Sequence, residues 1–150
     1  MAPAAHEAVA ALRVTAGQHW ESFRPDAREN FLHASYTIGL NSNRMGCRLE
    51  GPPLPRTSAT ELLSEAVAFG TIQVPPDGQP IILLADRQTI GGYPKIAQVS
   101  AIDRSRLAQR RPQEKVSFTL ITLAESQRLW LERERSLRTL QQSLQTRISP

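Results

Sequence analysis

The chain has 150 residues, of which 40% are hydrophobic, enough to bury one core and to form one domain. Its apolar runs fall far short of the roughly 20 residues needed to cross a bilayer. The opening MAPAAHEAVAALRV is interrupted by His6 and Glu7 and is not a signal peptide, so a soluble, cytoplasmic protein without a membrane partner is expected. The formal charge of +4 rests on arginine, since only Lys95 and Lys115 are lysine. The one basic cluster, Arg104, Arg106, Arg110 and Arg111, lacks interleaved aromatics, which favours a solvated surface over nucleic-acid binding. Cys47 is the only cysteine; it excludes an internal disulfide and fits a small buried hydrophobe.

Residues 1–10 carry neither strand pattern nor turn chemistry and read as a flexible leader to a domain over 11–150. A short strand begins near Leu12-Arg13-Val14. Pro25–Leu32 reads as a helix, with Pro25 suited to the first turn and Asp26 and Glu29 near its positive end. Tyr36–Ile38 is strand-like. Arg44–Gly51 alternates at period two, with Met45, Cys47 and Leu49 on one face and Arg44, Arg48 and Glu50 on the other. Glu61–Phe69 is helical in composition yet short and stopped by Gly70, so helix and extended segment both remain open.

Thr71–Val74 and Pro80–Ala85 read as strands joined by the turn Pro75-Pro76-Asp77-Gly78, in which proline sets φ and glycine permits a positive φ. The continuous apolar run Ile81–Leu84 predicts a strand buried on both faces. Pro94–Ala101 is another strand. Asp103 is placed to cap a short helix through Gln109. Lys115–Thr122 alternates again, with Val116, Phe118 and Leu120 inward. Leu123–Thr146 is the one long helix, with Thr122 and Glu125 at capping-box spacing. Leu123, Trp130, Leu137 and Leu144 repeat every seven residues with Leu140 beside them, but Arg133 and Arg147 interrupt the seam, and docking on the chain's own barrel is favoured over a dimer zipper. Short strands with turn signals and two or three helices predict a mainly β fold, a small barrel with helical additions.

The sequence holds no GxxxxGK[ST] loop, no GxGxxG and no GxSxG. His6, His19 and His33 do not share metal-ligand spacing with carboxylates or Cys47, so no metal site is expected. The polar groups worth following lie within Gly70–Ala97. Asp86 emerges at the end of the apolar strand, where a carboxylate could orient an amide- or urea-like N–H group, and Arg87 could hold an anion; the pair could equally close the strand end. Lys95 beside the Gly91-Gly92 turn suits an anion, or is a lysine on a strand. Gln73, Asp77 and Gln79 flank the Pro-Pro turn as ligand contacts or turn polars, and Arg44 carries the same two readings.

Ser42–Pro52, SNRMGCRLEGP, followed by GTIQVPPDGQPIILLADRQTIGGYPKIA, resembles the allophanate hydrolase subunit 2 family, whose members include the C subunit of ATP-dependent 5-oxoprolinase, also called the KipI antagonist KipA, and a related domain of urea carboxylase. Cys47 stands where that family usually has an aromatic residue, and Ile90 where a small polar one is common. The resemblance implies a cyclophilin-like β-barrel with a short N-terminal and a long C-terminal helix. It implies ATP as a substrate of the assembly, a KipI-like B subunit and a lactam-opening A subunit as partners, and an N-terminal half of the family domain that this chain lacks. It implies Asp86 and Lys95 as catalytic groups, and Arg44, Gln73, Asp77, Gln79, Arg87, Thr89, Gly91, Gly92 and Tyr93 as residues lining the substrate. Two other functions accompany it: antagonism of a KipI-like kinase inhibitor, and biotin-dependent carboxyl transfer of the urea type.

Overall fold

A computed structural model describes residues 11–58 and 60–148. The expected leader over residues 1–10 lies outside the described residues. In chain order come β1 (Leu12–Ala16), α1 (Pro25–His33), β2 (Tyr36–Ile38), β3 (Gly46–Glu50), β4 (Glu65–Ala66), β5 (Thr71–Gln73), β6 (Ile81–Leu83) and β7 (Ile90–Gly91). They are followed by β8 (Lys95–Val99), α2 (Arg104–Ala108), β9 (Lys115–Val116), β10 (Phe118–Leu120) and α3 (Leu123–Ile148).

Eight strands form one sheet in the order β10-β1-β8-β5-β6-β3-β2-β9, while β4 and β7 pair separately as a short antiparallel ribbon. The two edge strands of the large sheet are consecutive in sequence and separated only by Ser117. The stretch 115–120 therefore pairs with β2 through β9 and with β1 through β10, and the Ser117 carbonyl accepts the Leu12 N–H at 2.9 Å. This curls the sheet into a nearly closed barrel, which leaves little strand edge unpaired. The barrel is flanked by an N-terminal helix and a long C-terminal helix, as the sequence predicts; with α3 included, helical residues outnumber strand residues, so the expected mainly β class describes the barrel and not the whole chain.

The alternating positions meet inside. Leu12, Val14, Leu49, Ile72, Ile82, Ile96 and Val99 fill the barrel, and Phe31 of α1 stacks on Phe118 with ring centroids 4.5 Å apart. Ile82 and Leu83 are buried and Ile81 and Leu84 half-buried, so the apolar run is covered on both faces. Cys47 is buried as a small hydrophobe, and desolvation pushes its thiol up to about 11 despite a hydrogen bond from Ser42. The Pro-Pro turn closes as expected, with Gly78 at φ +80° and its N–H donating to the Pro75 carbonyl.

Several expectations need correction. Met45 precedes β3 and is exposed rather than inward, and Leu120 is exposed because β10 ends there. Asp103 sits at the cap position of α2 but its side chain makes no cap bond. It accepts instead from the Arg13 backbone N–H (2.8 Å), Arg13 Nε (3.0 Å) and Arg13 Nη2 (2.7 Å), across ninety positions of sequence. Of the two readings left open for Glu61–Phe69, the extended one holds, with only Glu65 and Ala66 in a strand. The largest departure is α3. Thr122 Oγ1 does accept the Glu125 N–H at 3.1 Å, but only Ser126 of the helix is buried, through a 2.6 Å hydrogen bond to Ser100. Leu137, Leu140 and Leu144 remain exposed, so the helix docks by its first turn and not along its seam.

Candidate functional site

The ribbon β4–β7 lies over the strands that end near the Gly-Gly turn, and a cleft of about 440 Å³ opens beside it. It is lined by Gln73 of β5, by Ser64, Val67, Ile90 and Gly91 of the ribbon and its flanks, and by Asn43 and Arg48. Gln73 ends β5, where the register with β8 shifts, so its side chain turns toward the ribbon. Its Oε1 is inaccessible to solvent and has no hydrogen-bond partner. That oxygen rests on Gly91: a Cβ added there would lie 3.0 Å from it. An unsatisfied buried acceptor costs roughly 1–3 kcal/mol. Such a cost is tolerated at a site more often than in a core.

Lys95 opens β8 directly opposite Gln73. It is only 8% exposed, and its Nζ reaches Glu65 Oε2 of the ribbon at 3.4 Å. That is long for a charge-assisted bond, which normally falls at about 2.7–2.9 Å. The Lys95 backbone N–H donates to His19 Nδ1 at 3.0 Å, which leaves the ring proton on Nε2. Burial lowers the His19 pKa, the positive charges of Lys95 and Arg56 lower it further, and the Glu65 carboxylate opposes them. Gly17 makes this approach possible, because a Cβ there would collide with the Lys95 carbonyl. The chemistry assembled is an ammonium, a half-exposed carboxylate, an imidazole and a primary amide.

The other residues singled out by sequence separate into groups. Asp86 and Arg44 face solvent, with side chains 60% and 91% exposed, and pair at 3.8 Å; neither lines the cleft. The arginine that meets Asp86 is thus Arg44 and not its neighbour Arg87. Arg87 donates to the carbonyls of Val67, Leu84 and Ala85, and its guanidinium ties the ribbon to the end of β6. Thr89 supports the ribbon through its backbone carbonyl, which accepts the Val67 N–H. Gln79 forms two 3.1 Å bonds with the Gly51 backbone, and Asp77 Oδ1 accepts the Gln79 N–H. Both are committed to turn structure. Gly91, Gly92 and Tyr93 line the cleft, and Gly92 and Tyr93 also form a wall of a second, more apolar cleft of about 710 Å³ that includes Asp77, Pro75 and Pro76.

Sequence reasoning misses Glu65 and His19. Glu65 lies in a segment with no clear period, and His19 is weighed only as a metal ligand. The signal that could have found them is Gly17-Gln18-His19 after a strand, a sharp turn with polar groups. Among the described residues no three His, Cys, Asp or Glu side chains gather as a metal site would require, and no helix is long and apolar enough to cross a membrane.

Residues 1–120 match the family model "Carboxyltransferase domain, subdomain A and B". The chain is 41% identical over 118 residues to the 5-oxoprolinase C subunit of Haemophilus influenzae, covering 79% of this chain and 38% of that protein. It is 38% identical over 115 residues to the Escherichia coli C subunit, covering 77% and 37%. The chain belongs to the family of 5-oxoprolinase C subunits and carboxyltransferase domains. It spans little more than a third of the length of these two relatives. The solved structure of TTHA0988 superposes with a TM-score of 0.62 at 35% identity over 73% of this chain and 21% of that one. Kluyveromyces lactis urea carboxylase superposes with a TM-score of 0.77 at 23% identity over 83% of this chain and 12% of that one, a likeness of fold. In this carboxyltransferase-family chain the match to the family model ends at Leu120, before α3 begins.

Proposed function

We propose that this chain serves as part of the C subunit of an ATP-dependent 5-oxoprolinase of the cytoplasm, with a barrel of the cyclophilin-like kind. It works beside a KipI-like B subunit and a lactam-opening A subunit. The observation that carries this reading is the identity of 41% and 38% to two 5-oxoprolinase C subunits, against 26% to the urea amidolyase of Lachancea kluyveri. The chemistry suits the assembly. A lactam carbonyl is a poor electrophile. Transfer of the γ-phosphoryl group of ATP to its oxygen releases ADP; one water adds to the activated carbon and the C–N bond breaks to give an acyl phosphate, and a second water hydrolyses that to glutamate and phosphate. The protein's task is to hold the substrate and to stabilise developing charge. Lys95, Gln73 and the Gly91-Gly92-Tyr93 wall supply a cation, an amide and a close backbone approach for that task.

The chain spans little more than a third of the length of these relatives, so the activity is proposed for an assembly that includes the rest of the family domain. Combining it with the missing portion and with the A and B subunits should produce ATP hydrolysis that depends on 5-oxoproline. Equal turnover by the chain without the missing portion, or none by the complete assembly, overturns the reading. Within that assembly Lys95→Ala should abolish turnover, whereas Asp86→Ala, outside the cleft and paired at the surface with Arg44, should leave it unchanged; the reverse pattern overturns this choice of site.

A further inference from the structure

One register pair of the β4–β7 ribbon, Glu65 with Gly91, covers two polar groups of the barrel. Glu65 contacts Lys95, and Gly91 rests on the Gln73 oxygen. Lys95 and Gln73 are themselves register partners on adjacent strands, so their side chains leave the barrel side by side. The ribbon is only two residues long on each strand. Glu65 is weakly held: besides Lys95 at 3.4 Å its side chain accepts from Gln18 Nε2, also at 3.4 Å. Neither Lys95 nor Glu65 lines the cleft, whereas Gln73 and Gly91 do, so the ribbon is the partition between the cleft and the ammonium. Closure pairs the ammonium imperfectly and leaves the amide oxygen without a donor. Each defect describes a group that the closed chain lacks: an anion for Lys95 and an N–H for Gln73.

We propose that the β4–β7 ribbon is a strap whose Glu65 carboxylate stands in for a ligand carboxylate at Lys95, and that a small carboxylate with an N–H on the neighbouring carbon displaces it, pairing with Lys95 and donating to the Gln73 amide oxygen. Arg87, bonded to the Val67 carbonyl, holds one side of the strap as the other lifts. The proposal deepens the functional reading above, since 5-oxoproline has this arrangement of carboxylate and N–H, and in its choice of ligand it rests on that reading. Displacement of an internal competitor makes a definite demand: removing the Glu65 charge must strengthen binding.

The test uses the full chain and three probes: 5-oxoproline, 2-pyrrolidinone, which lacks the carboxylate, and cyclopentanecarboxylate, which lacks the N–H. Binding is followed by NMR at the His19 ring, whose Nδ1 accepts the Lys95 N–H and which is one of only three histidines in the chain. Glu65→Ala and the isosteric Glu65→Gln should each tighten 5-oxoproline by about tenfold, because the ligand carboxylate no longer has to displace a carboxylate of the chain from Lys95. Cyclopentanecarboxylate should gain by the same factor from a weaker starting affinity, and 2-pyrrolidinone should gain nothing. The strap is overturned if neither variant binds a carboxylate more tightly than the parent chain, if no probe binds saturably, or if 2-pyrrolidinone gains equally. An assembly that hydrolyses ATP with 5-oxoproline while the Glu65 variants bind no better removes the strap and keeps the function. An inert assembly whose Glu65 variants still bind cyclopentanecarboxylate more tightly keeps the strap and removes the function.

Discussion

Strand β8 has an ion pair at each end, and the two are built for different purposes. At its start, Lys95 reaches a single Glu65 oxygen at 3.4 Å, on a two-residue ribbon whose carboxylate is half exposed. Beyond its other end, Asp103 is fully buried and accepts three bonds from Arg13 and one from Arg106 at 3.1 Å. A buried carboxylate with its lone pairs engaged resists any rearrangement, because losing one partner leaves a charge in a poor solvent. A half-exposed pair at long distance gives up little when it opens. The same strand thus anchors the fold at one end and leaves the other free to exchange partners.

The largest blow to this contrast is Asp103→Ala. It orphans the Arg13 backbone N–H and removes the anion that two guanidinium groups share, and should cost about 3 kcal/mol in urea denaturation. Glu65→Ala should cost less than about 1 kcal/mol by the same measurement, given its exposure and the screening it experiences. Equal losses would erase the distinction between the two ends.

Acid sharpens it next. Burial alone would raise the Asp103 pKa, but the hydrogen bonds and charge of Arg13, with Arg106, more than offset this and hold it below its ordinary 3.8. The unfolded carboxylate therefore takes up a proton first as the pH falls. The stability from this pair is complete above the unfolded value and is lost as the pH drops through it toward the lower folded value. Denaturation midpoints of the parent chain should fall steeply in that window, and those of Asp103→Ala should fall less.

A smaller effect belongs to His19. Its ring should titrate below its ordinary 6.5 in an NMR titration, and Glu65→Gln should lower it further by removing the one carboxylate that favours the charged ring. An upward shift would contradict the arrangement of His19, Lys95 and Glu65. The smallest effect is expected at α3. Removing residues from 135 onward deletes, among the described residues, only exposed side chains and should leave the thermal midpoint of the barrel within a degree or two. A large drop would show that the helix supports the barrel after all.

The sequence alone determined the strands whose burial alternates, the Pro-Pro-Asp-Gly turn, the helix that starts at Pro25 and a small β-barrel with helical additions. Each of these depends on a period or on a local φ preference, so the residues that encode it lie within a few positions of one another. The family was legible too, in Gly70–Ala97. What only the tertiary structure decided is where the polar side chains find partners. Asp103 has the local chemistry of a helix cap, yet Arg13 captures it, because two arginine nitrogens and a part-buried backbone N–H of β1 outcompete an exposed cap bond. Asp86 and Arg87 are adjacent in sequence, yet Asp86 meets Arg44 and Arg87 turns to backbone carbonyls. Gln73 and Gln79 flank one turn as chemical equals; Gln79 is satisfied by Gly51, whereas Gln73 is sealed without a donor under Gly91. The fate of each depends on what another strand brings within about 3 Å, the reach of a hydrogen bond, and that information is spread over separations that no local pattern records.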